Sequence, residues 1–173
     1  MPHDREVRTI DELVRRISEA PPGIVTFDGY HGIGKSTLTA TLAHRLSVPA
    51  IKVDGYLNKG EEAYVGALQG VKLRDAISSA LATHSVALVD GVCMASVLQV
   101  IGMQPTLTIY VQRNSRTGIP CDQEVLDMED GIELDPYYTT LITDDLDVEV
   151  FAYHKRYRPR ANADIVYVHT WNE

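Results

Sequence analysis

The run Gly29-Tyr30-His31-Gly32-Ile33-Gly34-Lys35-Ser36-Thr37 holds the residue types and spacing best suited to chemistry. It fits G-x-x-x-x-G-K-[ST], a loop whose glycines let backbone N–H groups close around an anion. Lys35 is spaced to reach the β- and γ-phosphates of a nucleoside triphosphate, and the Ser36 hydroxyl to hold Mg²⁺. His31 occupies a variable position, either touching phosphate or filling a half-buried structural role.

The flanks supply the context that such a loop needs. Before it, Ile24-Val25-Thr26-Phe27-Asp28 is a short apolar run suited to a buried strand. After it, Leu38, Leu42 and Leu46 recur with helical spacing. A helix starting near Lys35 would point its positive end at the same anion. The chain is therefore expected to bind a nucleoside triphosphate.

Carboxylates at strand ends come next. Val86-Ala87-Leu88-Val89-Asp90-Gly91 is a hydrophobic strand ending in an acid, the arrangement in which a carboxylate organises Mg²⁺. A strand-end Asp capping the following turn is the structural alternative. Ala50-Ile51-Lys52-Val53-Asp54 reads as another strand, and Asp54 would face the γ-phosphate. There it could take a proton from an acceptor hydroxyl or share the metal through water, although Asp-Gly is also a common turn dipeptide. Tyr56 would line the acceptor pocket or pack with its hydroxyl in water. Asp28, just before the loop, would accept backbone bonds or line the acceptor site.

Arg113 and Arg116 follow the expected fourth strand, Thr106 to Val111. Guanidinium groups there suit the charge that develops during phosphoryl transfer, and a closing lid would begin at that point. Solvated surface arginines are the alternative. Lys155, Arg156, Arg158 and Arg160 form a second basic cluster, placed to touch phosphates or to pair with acidic sequence.

The remaining elements position these groups. Thr9 and Glu12 form a capping box before the stripe Ile10, Leu13, Val14 and Ile17, predicting an amphipathic N-terminal helix. Glu61 to His84 reads as helical with an interruption near Gly70, and Ala95 to Ile101 as a short helix. Asp147 to Arg156 suggests a helix packing through Val148, Phe151 and Ala152, ended by Pro159, and Ala163 to Val168 the last strand. Strands alternating with helices predict an α/β fold: a three-layer parallel sheet with helices on both faces. Right-handed crossovers then gather Asp28, Asp54, Asp90 and the Arg113 region at one edge, around the loop.

Length and composition fit one domain across 1–173. The net charge of −8 argues against a nucleic-acid partner. Between Thr117 and His154 there is no Lys or Arg but eleven acidic residues, which leaves the rest of the chain mildly basic. This acidic lid or insert, near 117–150, is expected to hold one or two exposed helices with mobile parts between them. Cys93 and Cys121 have neither metal-ligand nor disulfide-framework spacing, which suits reduced thiols in the cytoplasm. No signal peptide is expected, and the most apolar window, Val86 to Met103, is too interrupted for a membrane span.

The run Phe27 to Leu38 resembles the start of P-loop small-molecule kinases, especially the uridine kinase and phosphoribulokinase group. Val53-Asp54-Gly55-Tyr56, Val89-Asp90-Gly91 and the segment from Tyr153 to Val166 are similar to further stretches of that group. The resemblance implies a P-loop NTPase fold of the nucleoside/nucleotide kinase type, Mg²⁺-ATP as donor and a small-molecule hydroxyl as acceptor. It also implies that Arg160, Ala161 and Asn162 border adenine. The chain departs from the group in its length and in acidic sequence where an arginine-rich lid is typical, which suits a cationic acceptor such as an aminated sugar or antibiotic, with an exposed solubilising face as the alternative. A homodimer is the one protein assembly allowed for. The competing expectation is a nucleotide-dependent ATPase or GTPase switch that works through a protein partner at the acidic segment. The chain lacks an Asn-Lys-x-Asp run for guanine recognition. A degenerate nucleotide-holding module is a third, opposed by intact Lys35, Ser36 and Asp90.

Overall fold

The computed structural model describes residues 4–60, 63–142 and 144–170. Glu61, the expected start of the first long helical segment, lies outside them. The elements run β1 (Glu6–Val7), α1 (Ile10–Glu19), β2 (Gly23–Asp28), α2 (Lys35–Leu46), β3 (Ala50–Lys52), a 3₁₀ turn (Val53–Tyr56), α3 (Gly70–Thr83) and β4 (Val86–Asp90). There follow α4 (Met94–Ile101), β5 (Pro105–Asn114), α5 (Gln123–Glu129), α6 (Pro136–Leu141), α7 (Asp145–Tyr157), α8 (Pro159–Asn162) and β6 (Ile165–Thr170). The strands form one six-stranded sheet in the order β1-β6-β5-β2-β4-β3, and every pairing is parallel.

Alternation along β2 divides the core between the two faces of the sheet. Val25 and Phe27 pack with Leu13 and Ile17 of α1 and Leu38 and Leu42 of α2. Ile24 packs on the other face with Leu73 and Ile77 of α3, Val97 and Leu98 of α4, and Val150 and Phe151 of α7. Thr9 caps α1, its Oγ1 accepting from the Glu12 N–H at 3.2 Å. Five strands and both helical layers match expectation, while the two-residue β1 at the edge carries no sequence pattern of its own.

Several boundaries differ. The third strand stops at Lys52, because Val53-Asp54-Gly55-Tyr56 tightens into a 3₁₀ turn. Gly70 does not interrupt a helix but opens α3, and the chain before it doubles back through an antiparallel bridge between Leu57 and Leu68. Strand β5 runs on to Asn114, so Arg113 lies within it rather than after it. In α7 the buried side chains are Val150, Phe151, Tyr153 and His154, whereas Val148 and Ala152 are exposed. The helix is thus rotated from the expected face, with Phe151 kept and Val150, Tyr153 and His154 taking the places of Val148 and Ala152. Pro159 both follows α7 and opens α8. The acidic stretch holds α5 and α6 and the start of α7, and Val125, Leu126 and Glu129 of α5 are buried.

Candidate active site

The loop between β2 and α2 is fixed by steric crowding and by one buried acid. A Cβ on Gly29 (φ 143°) would lie 2.6 Å from the Val111 carbonyl oxygen, so no other residue fits there without movement. Asp28 is buried, and its Oδ1 accepts from the Gly29 N–H at 2.8 Å. Its Oδ2 accepts from the Met94 N–H at 3.3 Å and from the Tyr153 hydroxyl. Asp28 therefore accepts backbone bonds, the first of its two expected roles, and it does not line the cavity at the loop. Burial pushes its carboxyl above the usual range.

Helix α2 begins after Gly34, a left-handed residue (φ 94°), with no side chain capping its N-terminus. Side-chain oxygens of Thr9, Asp135 and Asp144 cap α1, α6 and α7, whereas α3, α4, α5 and α8 lack a side-chain cap as α2 does. It is the glycine loop before α2 that distinguishes its N-terminus. A helix whose first N–H groups face a glycine loop without a side-chain cap is suited to phosphate oxygens. Lys35 is 7% exposed, and its Nζ donates to the carbonyls of Gly29, at 3.0 Å, and Tyr30. Burial lowers its pKa, opposed by the nearby carboxylates of Asp28, Asp90 and Asp54.

The Ser36 hydroxyl donates to Asp90 Oδ2 at 2.7 Å, and Thr39, one helical turn later, donates to Asp90 Oδ1 at 3.2 Å. A hydroxyl and a carboxylate in contact beside a phosphate cradle form an all-oxygen donor pair, which fits Mg²⁺. Among the described residues no group of three or more His, Cys, Asp and Glu is gathered as a metal site. Mg²⁺ does not require one, since it is bound through one or two carboxylates together with substrate phosphates.

Lys35, Ser36, Asp54 and Asp90 line one cavity of about 230 Å³, with His31, Gly32, Gly34 and Thr37 from the loop. Lys52, Gly91 and Val92 also line it, and the sequence did not single these out. Asp54 is exposed, and its Oδ1 accepts from the buried Tyr64 hydroxyl at 2.6 Å. Tyr56 is not on this cavity. It is half-buried against the apolar cluster of α3 and α4, the packing role weighed for it. Ile33 lends only its backbone, because its side chain is buried in the core and its carbonyl oxygen bonds His169 Nε2 at 3.0 Å.

Helix α7 reaches across to the loop. Asp147 Oδ1 accepts from the Tyr30 hydroxyl and lies 2.7 Å from His31 Nε2. Burial pushes the Asp147 carboxyl up, but the hydrogen bonds from Tyr30 and His31 outweigh this and hold it low. Two residues on, Glu149 accepts from the backbone N–H groups of Tyr64, at 2.6 Å, and Val65, at 3.1 Å. The acidic segment thus ties the phosphate loop and the Asp54 neighbourhood together. The sequence reading did not single out Thr39, although its place one turn beyond Ser36 was a local signal for it, whereas the contacts of Asp147 and Glu149 had none.

The arginines fall elsewhere. Arg113 stands on β5 in register with His169, and Arg116 is exposed in the turn beyond. Neither lines the 230 Å³ cavity. Arg160, Ala161 and Asn162 belong to α8, which precedes β6, and they are not on the cavity either. The N–H groups of Arg160 and Ala161 donate to Glu129 at 3.3 and 2.7 Å, and Arg160 Nε donates to Gln112 at 2.8 Å. The structure therefore does not bring these three residues to the phosphate site.

With this geometry described, comparison with solved structures places the architecture. A possible uridine kinase from Bacillus stearothermophilus superposes with a TM-score of 0.56 at 16% identity, covering 95% of this chain and 98% of that one. The two chains share one α/β fold. A thymidylate kinase from Ehrlichia chaffeensis matches at 0.46 and 14% identity over 88% of this chain and 90% of its own. A shikimate kinase from Bacteroides thetaiotaomicron matches at 0.41 and 18% over 84% and 85%. No protein-family model and no curated protein matches the sequence. Among the described residues no helix is long and apolar enough to cross a membrane.

Proposed function

We propose that this protein is an ATP- and Mg²⁺-dependent kinase that phosphorylates a hydroxyl group of a small molecule. The observation that carries the reading is one cavity shared by Lys35, the Ser36–Asp90 pair and Asp54, beneath the uncapped N-terminus of α2. Fixed donors aimed at one anion site are the main means of accelerating phosphoryl transfer.

Lys35 would exchange its bonds to the Gly29 and Tyr30 carbonyls for phosphate oxygens. Ser36 and Asp90 would hold Mg²⁺, which supplies charge neutralisation on the phosphates. Asp54, oriented through Oδ1 by Tyr64, keeps Oδ2 for the acceptor hydroxyl and would receive its proton. Arg113 and Arg116, off the cavity in this structure, would join only if the turn after β5 moved toward the phosphates. The similarity to a possible uridine kinase supports a nucleoside- or sugar-like acceptor, and an aminated sugar or antibiotic is the alternative within the same class.

The test is ATP consumption with Mg²⁺ against a panel of nucleosides, sugars, vitamins and aminoglycosides, with Lys35→Ala as the blank. Turnover that needs an acceptor, Lys35 and Asp54 establishes the kinase. Tight ATP binding without stimulation by any acceptor rejects it in favour of a nucleotide switch.

A further inference from the structure

A second cavity, about 460 Å³, lies on the sheet face that carries α4 and α7. Its floor is β2 and β5, one wall is α4, and the other is α7 with α8. The volume falls in the range of small-molecule sites, roughly 300–1,000 Å³. It is separate from the phosphate cavity, and the two share no lining residue. Nothing in the proposed phosphoryl transfer uses it.

The lining defines the chemistry of an occupant. Met94, Leu98, Met103 and Tyr157 give apolar surface, and Asp28 and Tyr153 are among the polar residues of the lining, which also include Gln99 and Asn162. Tyr153 and Tyr157 stack with ring centroids 5.0 Å apart, forming an aromatic surface. Among the described residues that line the cavity there is no Lys, Arg or His, and Asp28 is the one carboxylate. A phosphorylated or carboxylated ligand would therefore meet Asp28 and no cation on the lining itself, the nearest counter-charge being Lys35 on the loop side of Asp28. A cation would meet Asp28 and electron-rich ring faces.

The acceptor capacity that Asp28 has to spare lies on Oδ1, which takes only the Gly29 N–H, whereas Oδ2 already takes both the Met94 N–H and the Tyr153 hydroxyl. A carboxylate offers about four lone-pair directions. Three donors occupy Asp28: the Gly29 and Met94 N–H groups and the Tyr153 hydroxyl. Burial opposes its ionisation, and an ammonium group beside it would favour the charged form.

We propose that this cavity binds a small organic amine, with its ammonium group on Asp28 and its apolar body between α4 and the tyrosines of α7. Because Asp28 also holds the first residue of the phosphate loop, the bound amine and the loop meet at a single side chain. The proposal does not depend on the phosphoryl-transfer reading, and its test uses no nucleotide.

Tryptamine, tryptophol and indole-3-acetate carry one ring system with a cationic, neutral or anionic end. Each would be titrated calorimetrically into the full chain, with ring-to-methyl nuclear Overhauser effects recorded to labelled methionines. Tryptamine should bind at sub-millimolar concentration, tryptophol roughly tenfold or more weakly, and indole-3-acetate not measurably. Overhauser effects should reach Met94 and Met103. Ala95→Trp and Gln104→Trp, which place bulk in the cavity from residues outside the phosphate site, should each weaken tryptamine at least about tenfold. Tryptophol binding as tightly as tryptamine would overturn the proposal. So would no binding at about 10 mM, or binding with no contact to either methionine. If both Trp variants fail to fold, the Overhauser contacts and the order of the three probes still decide.

Discussion

The Ser36 hydroxyl and the Asp90 carboxylate, 54 residues apart in the chain, meet at 2.7 Å where α2 passes the end of β4. Thr39 takes the other oxygen of the same carboxylate at 3.2 Å, so both are held by hydroxyls of one helix. Outer partners of a metal-organising carboxylate typically contribute 10- to 100-fold in metal affinity. Thr39→Ala should raise the Mg²⁺ concentration for half-maximal turnover by about that factor, with kcat restored at high Mg²⁺. An unchanged Mg²⁺ titration would show that Thr39 does not position the carboxylate for the metal. Asp90→Asn, which should weaken Mg²⁺ more than Thr39→Ala, would then test Asp90 itself.

Asp54 and Tyr64 make a second test. Asp54→Asn should lower kcat by roughly 10²- to 10⁴-fold while leaving ATP affinity nearly intact, since a base acts on the acceptor rather than on the nucleotide. Tyr64→Phe removes the 2.6 Å bond that orients Asp54 and should cost less, about 10-fold or more in kcat. Equal loss of ATP binding and turnover in Asp54→Asn would exclude the base role.

Gly29→Ala probes the loop's packing. The added Cβ would meet the Val111 carbonyl at 2.6 Å and Ile33 Cδ1 at 2.9 Å, at a φ that L-residues rarely adopt. The variant should lose about 2 kcal/mol of unfolding free energy and most nucleotide affinity. Urea titration and nucleotide binding measure the two losses, and a variant of wild-type stability would show that β2 and β5 yield easily.

His154 sets a pH dependence. It is fully buried, and burial lowers its pKa to about 4 from 6.5. Its Nδ1 meets the Val150 carbonyl at 2.8 Å and its Nε2 the Tyr110 hydroxyl at 3.0 Å, and burial is what disfavours the charged ring. Between these two values the unfolded chain binds the proton and the folded one does not, so stability falls as pH drops from about 6.5 to 4. The loss from this residue is up to about 3 kcal/mol. His154→Gln should flatten the difference between urea melts at about pH 7 and pH 4.5. An unaltered pH slope would mean that His154 is charged in the fold.

Most of the site was legible because its parts are local. The glycine spacing, the strand before it and the leucines after it lie within one stretch, and short-range sterics and amphipathicity fix that unit. Asp90 was legible too, since a buried apolar run ending in an acid needs no distant information. Asp54 was found, although as a strand end rather than on the 3₁₀ turn that presents it to the cavity.

The chain alone thus determined the phosphate loop, the parallel α/β layering and the carboxylates beside the loop, each encoded over a few residues by periodicity and turn chemistry. Tertiary structure alone decided what the acidic segment does. Asp147 reaches Tyr30 and His31, Glu149 reaches Tyr64 and Val65, and Glu129 reaches Arg160 and Ala161. It also turned Asp28 toward Tyr153 and a second cavity, and kept Arg160 to Asn162 away from the phosphates. Such contacts join residues far apart in sequence, and which partners meet depends on how α7 rotates and docks on the sheet. That rotation is set by the burial of Val150, Phe151, Tyr153 and His154 against the rest of the fold.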